Sequence, residues 1–308
     1  MIDRRPFHTG VIGAAAALAA PDLSLAQISP AKRLVVDSQI HLWKADTPDR
    51  PWTKGSRAQL PEPMTIERVV PIMDAGGVDK TIIVPPSLEG IRYDYGQEAA
   101  ARYPGRFATM GRVNLDDPGE AARLPKWREQ SGLLGARLFF QPASAKWLTD
   151  GTADWFWPAA EKAGIPVMFL TIGQTPLFAA IAERHPGLQL IIDHIGVAIE
   201  SVRDGSMAER VAEAAALSKY PNVSVKLSSV PLYSAQDYPW RDMDGHLKRL
   251  YNAFGPRRCH WGTDITNSFD RGSMKQRITH FTEELKFLSE DDKDWIMGKS
   301  ILEKLRWA

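Results

Sequence analysis

Three short segments carry the residues best suited to acid–base or metal chemistry. Asp37-Ser38-Gln39-Ile40-His41 alternates Asp, Gln and His, so an extended strand would turn all three to one side. Asp193-His194-Ile195-Gly196 sets a carboxylate beside an imidazole, and Trp261-Gly262-Thr263-Asp264 ends an apolar run on a carboxylate. Carboxylates and imidazoles can pass protons near neutral pH once their surroundings tune them, and the same groups ligate divalent metals. Two cations, Arg137 and Lys226, stand beside apolar runs. A buried cation needs a partner or a ligand. Each is therefore either an anchor for an anionic substrate or half of a salt bridge with Asp37 or Asp193.

These residues recur at the ends of short apolar segments that alternate with helical patterns. The pattern predicts strands at 34–37, 81–84, 107–113, 134–140, 166–170, 188–193, 223–227 and 258–262. Helices are expected between them, among them one from the cap Thr65 to its stop at Gly76-Gly77, and a closing one over 274–288. Eight strand–helix units predict an α/β fold, a single-domain (β/α)8 TIM barrel, whose chemistry sits at the C-terminal strand ends. No Gly-rich nucleotide fingerprint follows the first strand, which argues against an open doubly wound sheet.

The chain has 308 residues, and 38 basic against 37 acidic side chains leave a formal charge of +1. That balance supplies no drive toward nucleic acid or an anionic membrane, so the expected partner is a small molecule. A homo-oligomer is left open. With one cysteine, Cys259, no intramolecular disulfide forms; Cys259 is expected to face the helices as a small apolar residue. Residues 1–26 read as a cleavable signal peptide that resembles the twin-arginine type: Arg4-Arg5-Pro6-Phe7 precedes an apolar run from Val11 to Ala20, then Ser24-Leu25-Ala26. Residues 27–308 would be the mature barrel domain, periplasmic or secreted, with no membrane attachment after cleavage.

The strand-end segments resemble those of the amidohydrolase superfamily, in particular its fuconolactonase-like and pyrone-dicarboxylate-lactonase-like group. The likeness also covers the Trp43…Trp52 loop, Gly135-Ala136-Arg137, Lys226-Leu227-Ser228 and Phe254-Gly255-Pro256-Arg257-Arg258. It implies that Asp264 is a general base acting on water, with His41 and His194 beside it. Metal-binding members carry two His after the first strand, but the first of these positions is Gln39 here. A neutral amide is a poor zinc ligand beside imidazole. The cofactor is thus expected to be none, or one Zn or Mn held by His41, His194 and Asp264, with Gln39 weighing against the ion.

The resulting expectation is a hydrolase that opens a lactone or related cyclic ester or amide of a small polar, carboxylate-bearing molecule. Arg137, Lys226, Gln39 and Trp43 would contact the substrate. The alternatives are a metal-dependent decarboxylase of an aromatic acid and a non-enzymatic binding protein. Trp52, Tyr93, Tyr95 and Trp240 are candidates for the pocket mouth, although core packing explains them equally well. His260 is expected to pack below the site, and His185, His246 and His280 to lie on the surface.

Overall fold

In the computed structural model, which describes residues 1–2 and 32–308, Arg33–Ala308 form one unit. All but the first two residues of the expected signal peptide lie outside the described residues. Eight strands follow one another around a parallel sheet in the order β1 to β8. They are β1 Val36–Ile40, β2 Lys80–Ile83, β3 Phe107–Gly111, β4 Leu133–Phe140, β5 Val167–Thr171, β6 Leu190–Ile192, β7 Val223–Leu227 and β8 Cys259–Trp261. Burial on both faces explains why these segments read as continuous apolar runs rather than alternating ones.

The seam between β8 and β1 is laced mainly by side chains. Ser38 Oγ donates to the Trp261 carbonyl at 2.7 Å, and Thr263 N donates to Asp37 Oδ1 at 2.8 Å. One backbone bond crosses, from Asp264 N to the Gln39 carbonyl at 2.8 Å. Gly262 permits this approach: a Cβ there would lie 2.7 Å from Ser38 Oγ and 3.1 Å from Gln39 N. The chain thereby holds Asp264 directly over β1.

Two apolar clusters divide the core. The larger fills the space between barrel and helices. The smaller contains Val36, Ile82, Met110, Met168 and Ile191 from the strands, with Ile301 and Leu305 from the helix Ser300–Leu305, and so fills the barrel interior. Ser300 Oγ donates to the Cys259 carbonyl at 2.7 Å and meets His260 Nδ1 at 2.8 Å, tying that helix to β8. Cys259 is buried, as expected.

The helix Ile66–Gly76 has the foreseen ends: Thr65 Oγ1 accepts from Arg68 N, and Gly77 takes the left-handed conformation at φ 82°. The closing helix departs from expectation. Met274–Thr279 is α-helical, His280–Glu284 widens into a π-turn, and a further helical stretch follows, Glu290–Asp294 and Ser300–Leu305 joined by a π-turn over Trp295–Lys299. His280 is not a surface residue; it is fully buried between Trp240 and Phe281. No helix among the described residues is long and apolar enough to cross a membrane.

Candidate active site

Asp264 follows β8 in a left-handed conformation at φ 49° and is 1% exposed. Four of the six non-glycine residues at positive φ among the described residues, His194, Ile195, Ser229 and Asp264, sit together at these strand ends. Such strain persists only where the surroundings over-determine it, and it gathers at functional sites. It aims three short side chains at one point.

Asp264 is surrounded by donors. Asn267 Nδ2 reaches its two oxygens at 2.9 and 2.8 Å, Ser229 Oγ donates to Oδ2 at 2.7 Å, and His41 Nε2 lies 3.2 Å from Oδ1. His41 Nδ1 is 2.6 Å from the Val84 carbonyl, which can only accept, so that nitrogen carries a proton. A neutral ring would then turn its Nε2 lone pair on a carboxylate. A second proton on Nε2 would instead make this contact a charge-assisted pair. Burial opposes ionisation of Asp264, but His194, His41 and the Ser229 hydroxyl hold its carboxyl well below the usual carboxylate range.

A second chain of hydrogen bonds approaches the same carboxylate. Lys226 Nζ donates to Gln39 Oε1 at 2.6 Å, which turns the Gln39 NH2 toward His194 Nε2 at 3.5 Å, a weak contact. His194 Nε2 is thereby the acceptor and Nδ1 the donor, 2.6 Å from Ser229 Oγ and 3.0 Å from Ser228 Oγ. Ser229 passes the direction on to Asp264 Oδ2. The polarity runs one way from Lys226 through Gln39, His194 and Ser229 to Asp264. Burial lowers the His194 pKa to about 4, so its ring is neutral at pH 7.

Behind this chain, Asp193 gathers cations. Lys226 Nζ is 3.0 Å from Oδ1, an ion pair whose angle falls outside hydrogen-bond geometry, and Arg137 Nε donates to Oδ2 at 3.2 Å. Burial works against its charge, yet Lys226 and Arg137 keep the Asp193 carboxyl below its ordinary value.

Three residues expected to contact substrate are placed elsewhere. Lys226 and Gln39 are fully buried, committed to Asp193, His194 and each other, and line neither neighbouring cavity. Trp43 is fully buried in the core, as are Trp127, Trp157, Trp240 and Trp261, so half of the ten tryptophans pack rather than ring a pocket. Tyr95 is buried too, its hydroxyl accepting from Ile66 N. Arg137 does line a cavity, and His194 and Asp264 form part of another. Ser229 and Asn267 are site residues that the sequence reading passed over. Asn267, three residues after Asp264 in the same turn, had a spacing that could have been noticed.

The donor set does not fit a three-ligand zinc or manganese centre. His41 offers Nε2, but His194 turns toward Asp264 the nitrogen whose proton serves Ser229, and both Asp264 oxygens already accept from neighbours. Among the described residues, no group of three or more His, Cys, Asp or Glu side chains has metal-holding geometry.

Two cavities open beside these residues. One of about 560 Å³ is lined by His194, Asp264, Asn267 and Tyr233; the other, of about 500 Å³, by Arg112 and Arg137. Phe139 and Gln141 line both.

Known proteins share this arrangement of strands. An L-fucono-1,5-lactonase of Burkholderia ambifaria is 27% identical over 243 residues, 74% of this chain and 79% of the relative. An amidohydrolase of Burkholderia multivorans, solved with bound zinc, superposes with a TM-score of 0.75 at 22% identity, over 89% of this chain and 100% of that one. A putative 2-pyrone-4,6-dicarboxylic acid hydrolase of Pseudomonas putida gives 0.70 at 20% identity, over 90% and 98%. These two structural likenesses speak for the barrel. The amidohydrolase family pattern matches residues 36–302, nearly the whole of the described unit, and the chain is a member of the amidohydrolase family.

Proposed function

We propose that the protein is a lactone hydrolase in which Asp264 activates water without a metal. The observation that carries this reading is that Asp264 and His194 line a cavity of about 560 Å³ on the C-terminal strand ends, with His41 held against Asp264. The L-fucono-1,5-lactonase relative supports the choice of a cyclic ester. Water held against Asp264 adds to the lactone carbonyl and gives its proton to the carboxylate. His41, protonated on Nε2, donates a hydrogen bond to the carbonyl oxygen, stabilises the oxyanion and keeps its proton when the carbonyl re-forms. When the ring C–O bond breaks, Asp264 returns the water-derived proton to the departing alkoxide, leaving a hydroxy acid. His194 holds Ser229, and Ser229 holds Asp264, so both are positioning residues.

The experiment is a pH-indicator screen of sugar-acid and carboxylated lactones with wild type and Asp264→Asn. Hydrolysis by wild type, with a loss of about 10²–10⁴-fold in Asp264→Asn, is the expected result for a proton-transfer group. Equal activity in the two proteins, or no lactone turned over, defeats the reading.

A further inference from the structure

The cavity of about 500 Å³ beside the Asp264 site has a charge imbalance. Lys54, Arg112 and Arg137 line it, and no Asp or Glu does. Arg137 spends its Nε on Asp193 and lies over the Phe139 ring at 5.0 Å, while its terminal nitrogens have no protein acceptor among the described residues. Arg112 follows β3 directly and has no hydrogen bond or ion pair there; its Nη1 is sealed from solvent without a partner. Lys226 and Arg137 thus share one carboxylate, that of Asp193, and Arg112 has no carboxylate partner among the described residues. Arg112 as a whole is only partly buried, but a guanidinium nitrogen sealed from water without an acceptor is unfavourable. Burial, reinforced by the charge of Arg137, lowers the Arg112 pKa to about 9.

We propose that Arg112 and Arg137 form a carboxylate-binding subsite, so that the substrate is an anionic lactone lying across Phe139. Its carboxylate would sit on the guanidinium side and its ester carbonyl on the Asp264 side. Phe139 and Gln141 line both cavities, so the two adjoin and a substrate lying across Phe139 reaches into each. Planar guanidinium forks match carboxylates bidentately, and an anion there would neutralise two guanidinium groups whose carboxylate partner among the described residues is Asp193 alone, through Arg137. The inference rests on the hydrolase reading for the position of the carbonyl, but not for the anion site itself.

The test compares γ-butyrolactone-γ-carboxylate with the carboxamide of the same lactone, in wild type, Arg112→Gln and Arg112→Lys. Wild type is expected to prefer the carboxylate in kcat/KM by about 30-fold or more, the size of charge-assisted bonds lost to a neutral group. Arg112→Gln should collapse that preference toward unity, and Arg112→Lys should restore part of it. The melting temperature of Arg112→Gln should equal or exceed that of wild type, because an unpartnered charge has been removed. A preference that survives Arg112→Gln, or is absent from wild type, overturns the proposal. Calorimetric titration of both compounds separates the two readings. If neither lactone is hydrolysed, the carboxylate should still bind more tightly than the carboxamide, with the difference lost in Arg112→Gln. Equal binding, or none, sinks the subsite whatever the fate of the hydrolase reading.

Discussion

The two ends of the substrate path are built on opposite terms. Around Asp264 the polar side chains answer one another: Lys226, Gln39, His194 and Ser229 form a directed chain, and Asn267 and His41 complete the carboxylate's shell. Around Arg112 the cations have almost nothing to answer them. A saturated network fixes geometry before substrate arrives, which is what proton transfer requires. An unsaturated cluster stores unfavourable electrostatics that only a ligand of opposite charge relieves. The difference separates chemistry from recognition within one barrel mouth.

The saturated end is broken most severely at its root. Lys226→Met removes the cation paired with Asp193 and the donor that orients Gln39, leaving a buried carboxylate with Arg137 alone. A loss of about 3–5 kcal/mol in stability is expected, the cost of breaking a buried ion pair from one side. Urea unfolding measures it, and a loss below about 1 kcal/mol would mean that Lys226 is dispensable to the network.

Acid should loosen the same end more gradually. Burial lowers the pKa of His194 to about 4, that of His260 well below its ordinary value and that of His280 in the same direction, so the native state refuses protons that the unfolded chain accepts below about pH 6.5. Asp37 acts in the opposite sense, since burial pushes its carboxyl up to about 6 and the native state keeps a proton that the unfolded chain releases above about pH 4. The histidines outnumber Asp37, which leaves a net fall in stability of at least about 1.4 kcal/mol per pH unit between pH 6 and 4. Denaturant titrations at pH 7, 6 and 5 read this slope directly. A flat or rising profile on acidification would show that these histidines are charged in the fold.

The smallest effect sharpens the comparison by removing one link. Ser229→Gly keeps the left-handed backbone at φ 63° but deletes the hydroxyl between His194 and Asp264. A stability loss of about 1–2 kcal/mol and a fall in kcat larger than the change in KM are expected. A variant with wild-type kcat would remove Ser229 from the positioning chain.

Much of this was legible in the sequence, for physical reasons. Eight buried strands leave eight β-branched or apolar runs, and the strand-end residues Asp264, His41 and His194 lie where a barrel must present them. What pairs across the barrel was harder to read. The salt-bridge alternative already named Asp193 for Lys226, but its bond to Gln39 follows from register and strand curvature, which no local pattern encodes. Ser229 and Asn267 are short polar residues of a kind common in any loop, and their importance lies in strained geometry. The helices after Leu288 were missed because their capping turns are short and weakly periodic. Arg112 is different. It lies within the apolar run from Phe107 to Val113, the same signal that singled out Arg137.

The most direct measurement is a crystal structure of Asp264→Asn with γ-butyrolactone-γ-carboxylate bound. The lactone carbonyl carbon should lie within about 4 Å of the substituted side chain, a separation that leaves room for the attacking water, with the carboxylate on Arg112 and Arg137. A lactone bound with its carboxylate toward residue 264, or away from both cavities, would contradict the division of labour between the saturated and unsaturated ends.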